Sequence, residues 1–140
     1  MITIIAVGKK TTYDKYIEDY CKKLRGHFKI TWVFINVSNI IDETKNIANK
    51  IPDKDFVILL DEIGKEIDNS TLSKKIIDNK NITFIIGGPY GVNEEIINRA
   101  NFIWSLGKLI YPYELVRLIL TEQIYRSHMV SINHPYHHDN

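Results

Sequence analysis

Short apolar runs alternate along the chain with stripes of apolar residues at helical spacing. Residues 2–7 form a continuous apolar run closed by Gly8, the pattern of a strand covered on both faces. Next, Tyr13, Tyr16, Ile17, Tyr20, Cys21 and Leu24 recur with a helical period, while Asp14, Lys15, Glu18, Asp19, Lys22 and Lys23 fill the opposite face. Thr11 or Thr12 is placed to cap this helix and Gly26 to stop it. Residues 30–37 are rich in Ile, Thr, Trp, Val and Phe, which suits a pleated surface, and the polar segment 38–50 holds a short helix starting near Asp42. A turn at Pro52 and Asp53 leads to a buried strand over 56–60 ending at Asp61, and the chain then turns at 62–65. A helix over 70–78, capped by Ser70 or Thr71, precedes an apolar strand over 82–86. Gly87, Gly88, Pro89, Tyr90 and Gly91 follow at once, then a helix over 93–100 and a last strand over 102–106.

The remaining stretch is a loop, a long helix and a tail. Leu106 to Tyr111 leave the last strand, Pro112 ends the extended run, and residues 113–131 form a helix leading to a polar tail around Pro135. The helix carries Leu115, Val116, Leu118, Ile119, Leu120, Ile124 and Tyr125, a band wider than one stripe. One face is expected to pack on the sheet and the other on a second copy of the chain. Strand and helix alternate throughout, which predicts an α/β fold: a parallel sheet flanked by helices. Ligands of such sheets sit off the carboxyl ends of the strands. Three strand ends carry unusual loops, at Leu60 and Asp61, at the GGPYG run and at 106–111, so these are expected to converge on one pocket.

At 140 residues the chain is read as one domain over 1–140. A single cysteine excludes an internal disulfide framework, and Cys21 lies on the apolar face of its helix, where a small core residue is expected and not a nucleophile. The amino terminus lacks the basic region and cleavage pattern of a signal peptide, and no apolar run approaches the roughly 20 residues that span a bilayer. The expectation is a soluble cytoplasmic protein without a membrane partner. A net charge of +1 offers no bulk attraction for nucleic acid. RNA recognition would therefore need a local patch.

Gly87 and Gly88 allow close approach of backbone to a carboxylate, ribose or phosphate near a helix start. Taken alone, the run also reads as a tight strand-to-helix turn. It is neither the dinucleotide fingerprint nor a P-loop. His134, His137 and His138 with Asp139 lie in a terminal tail on no rigid element, so no metal site is expected. Arg126 follows Glu122 by four residues, which an exposed ion pair explains. Yet Arg126 also lies near Tyr136 and His137, where guanidinium and ring could hold a phosphate and stack a base. No Ser-His-Asp order, Cys-His pair or paired carboxylates stand out, so nucleophilic catalysis is not expected.

The runs IIGGPYGV, SLGKLIYPYELVRLILTEQIYRS and INHPYHH, with AVGK near the start and LLDEIGK in the middle, resemble the RlmH family. These are bacterial large-subunit (23S) rRNA pseudouridine N3-methyltransferases of the SPOUT class. The resemblance spans essentially the whole chain and is most specific over its final third, with a shorter region between the second and third strands. It implies a homodimer and a C-terminal trefoil knot, an exception to the usual rule against knots. The knot would surround a pocket for S-adenosyl-L-methionine, with a pseudouridine of the assembled ribosome as acceptor. By position, cofactor contacts would fall on Leu60, Gly87, Leu106, Gly107, Lys108, Leu109, Ile110 and Tyr111. Arg126, Tyr136 and His137 would stand on the substrate side, with His137 or solvent taking the proton. The chain departs from the family pattern at Tyr113, where the pattern has histidine, at Ser127, where it has alanine, and at His138, where it has a strongly basic residue. A non-catalytic RNA- or ribosome-binding module on the same fold, or methylation of another RNA such as tRNA, remain alternative readings.

Overall fold

The computed structural model describes residues 1–9 and 12–138. Five strands and five helices alternate: β1 (Ile2–Val7), α1 (Asp14–Leu24), β2 (Ile30–Ile35), α2 (Ile40–Lys50), β3 (Phe56–Lys65), α3 (Asn69–Asp78), β4 (Ile82–Ile86), α4 (Glu94–Arg99), β5 (Phe102–Trp104) and α5 (Tyr113–Ser131). The strands form one parallel sheet in the order β2-β1-β4-β3-β5. Successive crossovers run in opposite directions along the sheet. Right-handed connections therefore send the helices to alternate faces. Ile2, Ile4 and Ala6 point to the face where Leu24, Leu72, Ile76, Leu120 and Ile124 of α1, α3 and α5 pack with Phe84. Ile5 and Val7 point to the other face, against Ile47 of α2 and Ile96 of α4. The fold is thus an α/β/α sandwich, as the alternation predicts. Fully burying each of these side chains other than Ala6 contributes about 1.5–3 kcal/mol.

Several boundaries differ from the sequence reading for identifiable reasons. β3 does not turn after Asp61. It bulges between Leu60 and Lys65, and Lys65 pairs with Trp104, so a polar segment is held extended by tertiary pairing. A Cβ at Gly64 would overlap the Ile103 carbonyl, which is why the arm can lie so close to β5. Strand β5 correspondingly ends at Trp104, and β2 ends at Ile35. Helix α2 begins before Asp42, because the Asn39 side chain caps it by accepting the Asp42 amide at 2.8 Å. Helix α3 is capped by Asp68, which accepts the Thr71 amide at 2.8 Å, and not by Ser70 or Thr71. Helix α1 has Tyr13 at its cap with no side-chain cap bond, so Thr12 does not cap it, and Thr11 lies outside the described residues. Gly26, just past α1, has φ +92, as a helix stop requires. Helix α4 is the short Glu94–Arg99, with Asn93 accepting the Glu95 amide at 3.0 Å. Helix α5 spans the expected residues.

Candidate active site

The order β2-β1-β4-β3-β5 places the topological switch point between β1 and β4, where a crevice would ordinarily open for a ligand. Here α5 fills it. Pro112 sets the entry to the helix at φ −54, and one turn later Arg117 reaches back with no exposed surface. Its Nη2 donates to the Val7 carbonyl at 2.8 Å and its Nη1 to the Lys9 carbonyl at 2.7 Å, capping the carboxyl end of β1. Burial lowers its pKa from the ordinary arginine value. Gly8, at φ +108, leaves just enough room: a Cβ there would lie 3.0 Å from the Tyr113 ring and 3.2 Å from Nη2 of Arg117. The GGPYG turn closes the same crevice, with a Cβ at Gly88 falling 2.7 Å from Val7 Cγ1 and 3.4 Å from Glu43 Oε1. Glu43 is itself buried, and its Oε2 accepts the Ser38 amide at 2.6 Å.

With the switch point filled, an open cavity lies over the ends of β4, β3 and β5. It measures about 440 Å³ and is lined by residues of all three strand-end loops. Leu60, Asp61 and Glu62 come from β3, Gly88 to Gly91 from the glycine turn, and Leu106, Gly107, Leu109, Ile110 and Tyr111 from the last loop. An adjoining space of about 170 Å³ brings Gly87 together with Leu60 and Tyr111. Lys108 is exposed and lines neither space. The walls are apolar at Leu60, Trp104, Leu106 and Val116, and the acidic residues Asp61 and Glu62 belong to the lining as well. Asp61 accepts the Ile63 amide at 3.0 Å, which fixes its direction. Gly107 is at φ +115, a conformation that suits glycine, and its amide donates to Ser105 Oγ at 3.1 Å.

The substrate-side candidates gather elsewhere. Arg126 lies thirteen positions after Tyr113 on α5, about 20 Å along the axis at 1.5 Å per residue. There the tail folds back on the helix. Glu122 Oε1 accepts from Arg126 Nε at 2.9 Å and Nη2 at 2.7 Å, and from the Tyr136 hydroxyl at 3.0 Å. Arg126 Nη1 contacts His137 Nδ1 at 3.3 Å, and its guanidinium lies 4.8 Å from the centre of the Tyr136 ring. The Glu122 bond raises the Arg126 pKa further, so the guanidinium stays charged. Burial, then hydrogen bonds with Tyr20 and Glu122, push the Tyr136 phenol above its usual range. Tyr136 is accordingly a hydrogen-bond donor at neutral pH. The ion pair is not the exposed one that spacing suggests, since its side chains are only 26% and 18% accessible.

The tail histidines have separate duties: His134 Nδ1 accepts the Tyr136 amide at 3.1 Å, while His137 faces Arg126. Among the described residues no three His, Cys, Asp or Glu side chains are grouped to hold a metal, and Asp139 lies outside them. Cys21 is half buried, and burial raises its thiol pKa, which leaves it protonated. Of the departures from the family pattern, Tyr113 packs over Gly8, and Ser127 is buried where its carbonyl accepts Ser73 Oγ at 3.0 Å. Sequence reasoning missed Arg117, Glu43 and the depth of Glu122. For Arg117 the available signal was its position one turn after Tyr113 on a helix whose apolar band is wider than one stripe.

A parallel sheet with three loops closing a cavity at its carboxyl edge and a helix filling its switch point defines a class, and comparison with known proteins agrees with it. The chain matches the family model described as "Predicted SPOUT methyltransferase" over residues 1–137. It is 37% identical to ribosomal RNA large subunit methyltransferase H of Clostridium botulinum and 31% identical to that of Coxiella burnetii, covering 97% of this chain and 98% of each relative. These alignments run over 156 and 152 residues, so the relatives carry segments that this 140-residue chain lacks. A solved structure described as a probable methylase family protein from Haemophilus influenzae Rd KW20 aligns with a TM-score of 0.58, covering 99% of this chain and 70% of that one. At 10% identity it speaks for the fold alone. The chain belongs to the SPOUT methyltransferase family, and within it to the large-subunit rRNA methyltransferase H (RlmH) branch. Membership implies a methyl donor. Among the described residues no helix is long and apolar enough to cross a membrane.

Proposed function

We propose that this chain is an S-adenosyl-L-methionine-dependent methyltransferase that methylates N3 of a pseudouridine in 23S rRNA of the assembled ribosome, acting in the cytoplasm as a homodimer. The observation that carries the reading is the match to relatives named ribosomal RNA large subunit methyltransferase H over nearly the full length of both chains. The cavity fits the donor: about 440 Å³ is within the range of small-molecule sites, and its lining combines apolar Leu60, Trp104, Leu106 and Val116 with the acidic residues Asp61 and Glu62, a mixture suited to a cationic donor. Leu60, Gly87, Leu106, Gly107, Leu109, Ile110 and Tyr111 would hold it, with Lys108 at the rim. The family's trefoil knot belongs to the same proposal: after β5, the chain returns across the sheet to dock Arg117 on β1.

When bound, the donor supplies an electrophilic methyl group on a positively charged sulfur. The chain's own contribution is then position. Aligning nucleophile and methyl can supply up to about 7–11 kcal/mol without any covalent intermediate, consistent with the absence of a nucleophilic motif. Arg126, Tyr136 and His137 would receive the base, but they lie about 20 Å along α5 from the cavity of their own chain. A second copy whose tail reaches the first copy's cavity completes the site. The partly buried Leu115, Leu118 and Ile119 on α5 supply an apolar surface for that copy. Near-neutral charge makes free RNA a weak ligand and favours shape recognition on an assembled particle.

The test is transfer of labelled methyl from S-adenosyl-L-methionine to assembled ribosomes, naked 23S rRNA and tRNA, with nucleoside mass spectrometry of the product. N3-methylpseudouridine formed from ribosomes well ahead of naked rRNA supports the reading. Methylation of tRNA alone, or donor binding without transfer to any RNA, replaces it with one of the other readings.

A further inference from the structure

We propose that Glu122 is a positioning residue for methyl transfer: it holds Arg126 and Tyr136 in one rigid group and, through Arg126, fixes the His137 imidazole as a hydrogen-bond donor and not as the base. The inference rests on the proposed methyltransferase reading and adds to it a role for a carboxylate and the tautomer of a ring.

One oxygen of Glu122 collects three donors, Nε and Nη2 of Arg126 and the Tyr136 hydroxyl. The other oxygen accepts Gln123 Nε2 at 2.7 Å, and Gln123 in turn accepts Asn69 Nδ2 at 2.6 Å from the start of α3. The carboxylate is thus braced from its own helix and from α3, while it grips two side chains of the acceptor group. A fork held through Nε and Nη2 leaves the third nitrogen, Nη1, on the far side. There Nη1 meets His137 Nδ1 at 3.3 Å.

Arginine nitrogens can only donate. In that contact Nδ1 must therefore accept, and the proton of the neutral ring resides on Nε2. A ring in this state offers an N–H from Nε2 and has no free lone pair on that nitrogen with which to take a proton. It suits a carbonyl oxygen of a pyrimidine, on which negative charge accumulates as the neighbouring N3–H ionises. The charged Arg126 beside it acts in the same sense. The step then balances as follows: the N3 proton passes to water, the N3 lone pair forms the new N–CH₃ bond, and the sulfur keeps the electron pair of the broken S–CH₃ bond.

The experiment uses the full-length chain with assembled ribosomes. Wild-type protein that transfers no methyl group overturns the function itself, before this inference is reached. With active wild type, Glu122→Gln, nearly isosteric, is expected to keep the melting temperature and the donor Kd while kcat falls about 10- to 100-fold. In an Arg126→Ala background the same change is expected to cost less than in the wild type, because one of the two side chains it holds is already gone. His137→Gln, whose amide can stand in for the Nε2 donor, should retain kcat within about tenfold and the wild-type pH–rate profile, whereas His137→Ala should not. Additive losses for Glu122→Gln and Arg126→Ala overturn the positioning role. Loss of about 10²–10⁴ in His137→Gln together with an inflection removed from the pH profile assigns the ring as base and overturns the tautomer.

Discussion

The two ends of α5 are built by opposite means. At its start the structure is made from backbone: glycines at Gly8 and Gly88 permit close approach, carbonyls of Val7 and Lys9 are capped, and the cavity is edged by loops at Gly91 and Gly107. At its end it is made from side chains, with one carboxylate, one guanidinium, two aromatic rings and an imidazole in mutual contact. Backbone walls accept a ligand with little selectivity for protonation state. A side-chain network of fixed charge is suited to stabilising charge that develops on an acceptor. The difference suggests which substitutions should damage binding and which should damage rate.

The largest separation is expected for Arg126→Ala. Its methylation rate should fall on the order of 10²–10³, while calorimetry finds the donor Kd within about twofold of wild type; a Kd that collapses in parallel would erase the distinction between the two ends. Arg117→Met should do the reverse of a catalytic change. The buried Val7 carbonyl and the partly buried Lys9 carbonyl lose their donors, which should destabilise the fold by about 1–3 kcal/mol, seen as a lower melting temperature with the Arg126 group still active below it. Gly88→Ala places a methyl group against Val7 and must move the glycine turn. Donor affinity is expected to weaken about tenfold, with kcat at saturation nearly unchanged.

The smallest effect concerns His128, whose ring lies tilted against His27 at 4.3 Å and edge-on to Phe28 at 5.3 Å. Burial, and then His27, lower its pKa from the ordinary 6.5. The unfolded chain therefore takes up this proton first, so the contribution to stability is complete above about pH 6.5 and is lost as pH falls through the lower folded value. Melting temperature should drop by a few degrees from about pH 7.5 to about pH 5.5, and less so in His128→Phe. Equal slopes for both proteins would remove His128 from the account.

What was legible in the sequence follows the same division. β1, β4 and α5 were readable because their apolar runs have no competing signal, and the three loops could be sent to one edge because parallel strands put all their carboxyl ends there. The β3 arm was not readable. Residues 61–65 are polar and glycine-containing, and they stay extended because of pairing with Trp104, a partner some forty positions away. The start of α2 and the cap of α3 were misplaced because Asn39 and Asp68 stand among other capable residues, and geometry selects among them. Glu122 and Arg126 were visible as a pair, but spacing alone carries no information on burial. The folded tail that covers them makes the pair a hub.

The most direct test of a site shared between two copies is complementation in co-expressed pairs. Leu106→Arg puts a cation into the cavity of one chain, and Arg126→Ala removes the acceptor group of the other; each homodimer should be inactive. Mixed dimers contain one intact cavity facing one intact tail, so the account predicts recovery of about a quarter of wild-type methylation for random pairing. No recovery in mixed dimers shown to form and fold would contradict it.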